Sequence, residues 1–139
     1  MVLLIDTNVI IDVLKNREPF VKESAEIWDL CESRKMHGYI TTLTFADIVY
    51  VMRKYLDHDS IYELLSKMSL IFEFRDYRST DMMRAAMLGW DDYEDAVQSV
   101  VAKRLKADFI ITRNEKDYAD SMVPAISPKD FLKLIGDAS

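Results

Sequence analysis

Short apolar runs alternate along this chain with longer segments whose apolar residues recur at helical spacing. The run Val2–Ile5 is typical of a buried strand, and Val9–Leu14 is typical of a helix that follows it. The same pattern predicts further strands at residues 38–40, 70–74, 109–112 and 124–126. It predicts further helices at residues 20–32, 45–55, 61–68, 81–88 and 92–105, with a last helix from residue 128. This alternation predicts an α/β fold with a mainly parallel sheet, in one domain over residues 1–139.

Polar residues at the predicted helix starts suggest how those helices are capped. Thr44 is expected to cap its helix, with Asp47 three residues later as a weak capping box. Ser60 and Thr80 are expected to cap the two helices that follow, and Asp92 to begin the long helix. These assignments place Asp47 in the first turn of its helix.

Composition limits the class of protein. Half of the 139 residues are hydrophobic, so a chain of this size can form a core. Cys31 is the only cysteine, which excludes an internal disulfide and favours a cytoplasmic location. No apolar run approaches the ~18 residues of a membrane span. Because Asp6 interrupts the N-terminal apolar stretch, neither a signal peptide nor a membrane association is expected.

The net charge of −6 argues against a protein that holds nucleic acid on a generally basic surface. It leaves a nuclease open, because carboxylates that bind divalent metal ions make a protein acidic. The bound ions then reverse the local field.

Acidic or amide side chains recur where the predicted strands end, and the ends of parallel strands meet at one edge of a sheet. They are Asp6 after the first strand, Asp47 after the second, Asp92 and Asp95 at the head of the long helix, and Asn114 and Asp117 after the fourth. Each alone has a simpler interpretation as a helix cap, a helix-dipole partner or a surface residue. Together they would repel one another without a cation, and oxygen ligands suit Mg²⁺ or Mn²⁺. Zinc is not expected, because His37 and His58 lie in other segments.

Four stretches in this order resemble the PIN domain family, which includes the VapC-type toxins of toxin–antitoxin pairs. They are "LLIDTNVIIDVL", "TTLTFADIVYVM", "DYEDAVQSVVAKRLKADFIITRN" and "KDY", and "VPAISPKDFL" extends the match. The resemblance implies a Rossmann-like sheet with helices on both faces and a metal-dependent ribonuclease site. It also implies an RNA substrate, an antitoxin protein as partner and a homodimer.

The resemblance assigns site residues one by one. Asp6 matches the first acid of the family, Asp95 the third, and Asp92 lies beside it. With Mg²⁺ or Mn²⁺, Asp6 and Asp95 would hold one ion. Thr7 or Asn8 would support Asp6, with Asn8 tying the turn that follows it. The resemblance further implies that Thr112 lines the floor of the site.

Two positions depart from the family pattern. Asp47 stands where a glutamate is usual, so its reach to a metal is one methylene shorter. Asn114 stands where an aspartate is frequent, and it carries no charge. Asp117 or Asp92 is expected to replace that charge. Asn114 and Asp117 would hold or orient a second ion, or the substrate. Arg113 either meets charge on the phosphate or is an ordinary surface arginine.

Alternative functions stay open. The departures at Asp47 and Asn114 are compatible with a degenerate module that binds RNA or protein without cutting. A phosphotransfer fold fits poorly, because a dehalogenase-like phosphatase needs an acid where this chain has Asn8. Apolar residues that serve either as core or as a partner surface are Tyr50, Met52, Tyr55, Tyr62 and Met68.

Overall fold

The fold alternates strands and helices in a computed structural model that describes residues 1–137. Over that range the chain forms five strands, seven α-helices and one short 3₁₀ helix. In order they are β1 Val2–Ile5, α1 Thr7–Leu14, α2 Val21–Glu32, β2 His37–Thr41, α3 Thr42–Met52, α4 His58–Ser69, β3 Glu73–Arg75, α5 Ser79–Leu88, α6 Tyr93–Arg104, β4 Phe109–Ile111, the 3₁₀ helix Glu115–Tyr118, β5 Ala125–Ile126 and α7 Pro128–Asp137.

The five strands form one sheet in the order β3-β2-β1-β4-β5, and every pair is parallel. Strand β1 is central, with Leu3 opposite Gly38 on one side and Phe109 on the other. The predicted mainly parallel sheet is therefore confirmed and is wholly parallel. All the carboxyl ends meet at one edge, which is where ligands bind in open α/β sheets.

Helices cover both faces of the sheet, as alternate residues of β1 show. Leu3 and Ile5 point into a core shared with Ile27 of α2 and Phe131 of α7. Leu4, between them, packs in a separate cluster with residues that include Ala102 of α6. Because both faces are buried, the strand is a continuous apolar run rather than an alternating one.

Three of the four predicted helix caps are wrong. Thr41 caps α3, and its hydroxyl accepts a hydrogen bond from the backbone of Thr44 at 3.4 Å. Asp57 caps α4, accepting from the backbone of Ser60. Helix α5 begins at Ser79, so Arg78 rather than Thr80 stands at its N-cap position. The three helices start two or three residues earlier than expected. At α3 and α4 a nearer polar side chain accepts a hydrogen bond from the first turn. At α5 the Asp81 carboxylate accepts a hydrogen bond from the backbone N–H of Arg78.

Asp92 is the cap that the sequence predicts correctly. Its carboxylate accepts a hydrogen bond from the backbone of Asp95 at 3.1 Å, and α6 begins at the next residue, Tyr93.

The predicted strand at residues 70–74 is also shifted. Helix α4 continues to Ser69, and Leu70 after it is 72% exposed. Phe72 is buried in the core, and β3 is Glu73–Arg75. The first residues of the apolar run thus follow a helix end and pack on the core, and only its last two, Glu73 and Phe74, belong to the strand.

The tyrosines and methionines proposed as core or partner surface divide by type. Met52 and Met68 are buried in the core, whereas Tyr50, Tyr55 and Tyr62 are exposed. Among residues 1–137, no helix is long and apolar enough to cross a membrane.

Candidate active site

A groove of about 370 Å³ opens at the carboxyl edge of the sheet, beyond β1 and β4. It gathers the predicted acids together with two residues that support them. The polar residues that line it are Asp6, Thr7, Asn8, Arg17, Asp47, Asp92, Glu94, Asp95, Asn114 and Asp117. The sequence therefore predicted most of this groove correctly, including residues more than 100 positions apart.

Asp6 is held firmly at the base of the groove. It caps α1 by accepting a hydrogen bond from the backbone of Thr7 at 2.8 Å. Its other carboxylate oxygen accepts from the hydroxyl of Thr112 at 2.8 Å. Burial raises the pKa of Asp6, although these two hydrogen bonds oppose the rise. Asp6 is thus both a helix cap and a fixed carboxylate at the strand end.

Thr112 and Asn8 connect the ends of β1 and β4. Thr112 is fully buried, and its hydroxyl accepts hydrogen bonds from the backbone of Asn114 and the amide of Asn8. The expectation that Asn8 ties its own turn is wrong. Its carbonyl oxygen accepts from the backbone of Arg113 at 3.3 Å, so it joins α1 to the loop after β4.

Asp95 faces Asp6 from the first turn of α6. Burial, followed by the charges of Asp6 and Asp92, raises the pKa of Asp95 to about 7. Asp117, which is exposed on the 3₁₀ helix, raises it further. A carboxyl group with such a pKa is half-protonated near neutral pH, which is typical of carboxylates that lack a counter-cation.

Tyr118 lies between these two acids, although it was not predicted as a site residue. Its side chain is 2% exposed, and its hydroxyl lies 3.4 Å from Asp6 Oδ2 and 3.1 Å from Asp95 Oδ1. A hydroxyl has one proton, so it donates to one carboxylate at a time. Burial and the charges of both acids raise the pKa of Tyr118, so it stays a donor.

Glu94 is the second residue that the sequence missed, and it pairs with Asp47. A hydrogen bond with the Asp47 carboxyl, followed by burial, raises the pKa of Glu94 to about 8. Asp47 is the sixth residue of α3, so its predicted role in a capping box is wrong. The signal for Glu94 was present in "DYEDA", where an acid directly precedes Asp95.

Asn114 and Asp117 extend the groove on the side of β4. Both are exposed and line it, as predicted. The backbone N–H of Asn114 donates a hydrogen bond to the Thr112 hydroxyl at 3.1 Å. Asn114 therefore offers an uncharged oxygen, and Asp117 brings the negative charge on this side.

Arg113 does not line the groove, and both predicted roles for it are wrong. Its Nε lies 2.7 Å from Oδ2 of Asp12, whose side chain is fully buried in α1. Its guanidinium also stacks on Phe20, 3.9 Å from the ring centroid. A buried carboxylate requires a countercharge, and Arg113 supplies it. The arginine is therefore structural rather than a surface or phosphate-binding residue.

A buried network of hydroxyl and amide groups lies behind the acids. The Thr7 hydroxyl donates to Thr44 at 3.0 Å, and Gln98 donates to Thr44 at 3.3 Å. Thr41 donates to the Gln98 oxygen at 2.8 Å. The network ties α1, α3 and α6 together, so the helices that carry Asp6, Asp47 and Asp95 keep fixed relative positions.

The donor chemistry of the groove fits a hard divalent cation, because its ligands are carboxylate and amide oxygens. In the arrangement described for residues 1–137, no three carboxylate, imidazole or thiol groups converge closely enough to hold an ion. The raised pKa values of Asp6 and Asp95 are consistent with an acidic cluster in need of a cation. The type of ligand fits Mg²⁺ or Mn²⁺.

The sequence profile of the PIN domain family matches residues 2–116. The chain belongs to the PIN domain family. Members of this family are generally nucleases, and the match confirms the resemblance seen in the four sequence stretches. No curated protein matches the sequence.

Solved structures share the PIN fold over almost the whole chain. A toxin–antitoxin complex from Klebsiella pneumoniae contains a chain of 22% identity, with 91% of this chain and 97% of that chain covered and a TM-score of 0.67. VapBC2 from Rickettsia felis, bound to a promoter DNA fragment, contains a chain of 14% identity, with 91% of this chain and 98% of that chain covered and a TM-score of 0.68. DNA-bound VapBC from Salmonella typhimurium contains a chain of 16% identity, with 92% of this chain and 98% of that chain covered and a TM-score of 0.68. At these identities the likeness shows the fold.

Proposed function

We propose that this PIN domain is a metal-dependent endoribonuclease that hydrolyses RNA phosphodiester bonds with Mg²⁺ or Mn²⁺. The observation that carries the proposal is the grouping of six acids in one groove at the carboxyl edge of the sheet: Asp6, Asp47, Asp92, Glu94, Asp95 and Asp117. Such a cluster is unfavourable in the free protein and becomes favourable once a cation binds.

Asp6 and Asp95 are the proposed principal ligands. The backbone of Thr7 and the hydroxyl of Thr112 fix the Asp6 carboxylate before an ion arrives. Asp95, with its pKa of about 7, releases a proton as the ion binds. When bound, the ion supplies a water of lowered pKa and a charge that stabilises the phosphate.

Glu94 and Asp47 are proposed to act as one unit. Glu94 keeps its proton near neutral pH, because its pKa is about 8, and its carboxyl group is hydrogen-bonded to Asp47. Such a pair can exchange that proton with the attacking water or with the leaving oxygen. Glu94 also has the longer side chain that Asp47 lacks, so the unit reaches further into the groove than Asp47 alone.

Asn114, Asp117 and Asp92 are proposed to complete the site. Asp117 brings charge on the side where Asn114 has none, and Asp92 adds charge beside Asp95. This set is expected to hold or orient a second ion more weakly than Asp6 and Asp95 hold the first, since one of its three members is neutral.

We also propose that the chain is the toxin of a toxin–antitoxin pair. The support is the fold that it shares with chains of the complexes from Klebsiella pneumoniae, Rickettsia felis and Salmonella typhimurium. An antitoxin peptide with a basic residue suits the negative groove. A homodimer and a cytoplasmic location stay predictions, the first to be measured by light scattering of the purified protein.

A second function, binding RNA or a protein without cleavage, is favoured by two observations. Asn114 carries no charge, and no three metal-ligating side chains converge within residues 1–137. A protein of this kind would keep the groove but fail to hold the ion in a reactive arrangement.

Cleavage of a pool of structured RNAs separates the two functions. Purified protein would be incubated with Mg²⁺, Mn²⁺ or EDTA, beside Asp6→Asn and Asp95→Asn. Asp59→Asn is the matched control, because Asp59 is an exposed acid in the first turn of α4, away from the groove. DNA of the same sequences tests the choice of nucleic acid.

We expect cleavage of RNA only, with metal only, by the wild type and Asp59→Asn but by neither groove variant. Cleavage that persists in EDTA or in Asp6→Asn would contradict the proposed nuclease site. A folded, partner-free wild type that cuts RNA with neither metal would favour the binding function.

A further inference from the structure

Basic and aromatic side chains are interleaved at the C-terminal ends of α1 and α3. We call this surface the basic–aromatic patch, and its residues are Lys15, Arg17, Tyr50, Arg53, Lys54 and Tyr55. The side chains pair with one another: Lys15 Nζ lies 4.9 Å from the ring centroid of Tyr55, and the Arg53 guanidinium lies 4.2 Å from that of Tyr50. The two tyrosines are 59% and 58% exposed.

The patch has a positive field, although the chain as a whole has a net charge of −6. A hydrogen bond from Lys15 and the charges of Lys15, Lys54 and Arg17 lower the pKa of Tyr55. Several cations therefore lie close enough to act on one phenol. Three acids adjoin the four cations of the patch in sequence, namely Asp12, Glu18 and Asp57. Asp12 lies 4.0 Å from Arg17, and Asp47 lies beside the patch in the groove.

The patch is continuous with the acidic groove. Arg17 and Tyr50 line that groove together with Asp47 and Asp95. A phosphodiester that enters the groove meets repulsion from the acids, because they are not fully neutralised until a cation is bound. A cationic surface next to the acids would hold the neighbouring phosphates and so bring the substrate to them.

We propose that the basic–aromatic patch binds the unpaired stretch of single-stranded RNA that flanks the phosphodiester in the groove. Lys15, Arg53 and Lys54 contact its phosphates, and Tyr50 stacks on a base. This inference rests on the proposed function, and it adds the part of the substrate that the protein recognises.

Interleaved cations and exposed tyrosine rings favour single-stranded nucleic acid over an acidic peptide. A peptide carboxylate would need the cations alone, whereas unpaired bases also use the ring faces. Two of the cations have a structural role as well, because Lys15 and Arg53 cap the C-terminal ends of α1 and α3. The experiment therefore has to separate RNA binding from stability.

Binding of a fluorescein-labelled single-stranded RNA of about 12 nucleotides, measured by anisotropy in EDTA, tests the patch without any cleavage. The charge variant is Lys15→Gln/Arg53→Gln. Its control is Arg84→Gln/Lys103→Gln, which removes the same two residue types from exposed positions on α5 and α6. The ring variant is Tyr50→Leu, with the exposed Tyr62→Leu of α4 as its control. Melting temperatures verify that each variant folds.

We expect the charge variant to bind about tenfold more weakly and to reduce the slope of log K against log salt by about 1.4, since each phosphate contact to a single strand contributes about 0.7. We expect Tyr50→Leu to weaken binding about tenfold with little change in that slope. Both controls should bind like the wild type. If the charge variant unfolds, the two tyrosine variants carry the test alone.

Equal losses in the patch variants and their controls would overturn the inference. A labelled poly-glutamate peptide that binds as tightly as the RNA would also overturn it and assign the patch to an acidic protein partner. The outcome is separable from the nuclease proposal. Patch-dependent RNA binding without cleavage would sink only the nuclease, and cleavage that ignores the patch would sink only this inference.

Discussion

Replacing Asp95 by asparagine should stabilise the metal-free protein at neutral and higher pH. The change keeps the shape of the side chain and an oxygen that accepts from Tyr118, but it removes one charge from the cluster. Burial, Asp6 and Asp92 raise the pKa of Asp95 from 3.8 to about 7. Converted in full, this shift is about 4 kcal/mol. Because Asp95 is partly exposed, solvent screening reduces the expected gain to about 1–2 kcal/mol.

The sign of the pH dependence follows from the direction of this shift. The folded state holds the Asp95 proton more tightly than the unfolded state does, so stability is greatest below about pH 4 for this group. That contribution is lost as the pH rises towards about 7. Wild-type protein should therefore lose more stability between pH 5 and pH 8 than Asp95→Asn does.

Urea unfolding in EDTA at pH 5 and pH 8 measures both quantities. The exposed Asp59→Asn is the control, and it should behave like the wild type. Mg²⁺ at pH 8 should restore stability to the wild type and do so less for Asp95→Asn. The reasoning is refuted if Asp95→Asn is no more stable than the wild type at pH 8, because the acids would then not repel one another.

Three further changes test other parts of the account. Tyr118→Phe should raise the pKa of Asp95 above about 7, since the change removes a hydrogen bond that lowers this pKa. The acidic limb of the cleavage–pH profile should therefore move up by about one pH unit. A limb that does not move would contradict the contact between Tyr118 and Asp95. Asp12→Ala should lower the free energy of unfolding by about 3 kcal/mol, because it leaves Arg113 without its countercharge. The double variant Asp12→Ala/Arg113→Met should recover part of that loss. If Asp12→Ala were as stable as the wild type in urea, the ion pair would have no stabilising role. Gly38→Ala should lower the free energy of unfolding by about 1–3 kcal/mol. The reason is that a Cβ at this position would lie 2.7 Å from Cys31 Sγ and 2.8 Å from Phe72. An unchanged melting temperature would show that the neighbouring side chains move to make room for the methyl group.

The sequence predicts the sheet and its acidic edge because both depend on local patterns. Val2–Ile5 is apolar throughout since it is buried on both faces, and Asp6 ends it where a carboxylate can also cap α1. The recurrence of acids at strand ends predicts the groove because parallel strands bring those ends together.

The remaining parts depend on distances that periodicity does not contain. Glu94 reaches Asp47 only because the fold brings the first turn of α6 to α3 at the groove, and Tyr118 contacts Asp6 across 112 positions. Arg113 was misassigned because its partner, Asp12, reads in the sequence as an ordinary helix residue. Its burial becomes visible only when α1 packs against the loop after β4.

The starts of α3 and α4 were predicted wrongly for a related reason. Several Ser, Thr and Asp residues lie close together before α3 and α4, and each can accept a hydrogen bond from the first turn. Thr41 is chosen over Thr44 because β2 ends there and its hydroxyl also joins the buried network with Gln98. The tertiary contact, rather than the local preference, decides the boundary.

The central claim is that a metal ion held by Asp6 and Asp95 contacts the phosphate that is cut. An RNA with sulfur in place of one non-bridging oxygen at the cleaved phosphate tests it most directly, because sulfur is a poor ligand for Mg²⁺ and a better one for Mn²⁺. We expect this RNA to be cut much more slowly than normal RNA in Mg²⁺, and we expect Mn²⁺ to restore the rate at least in part for one of the two sulfur positions. Equal slowing in both metals at both positions, or cleavage that needs no metal, would contradict it.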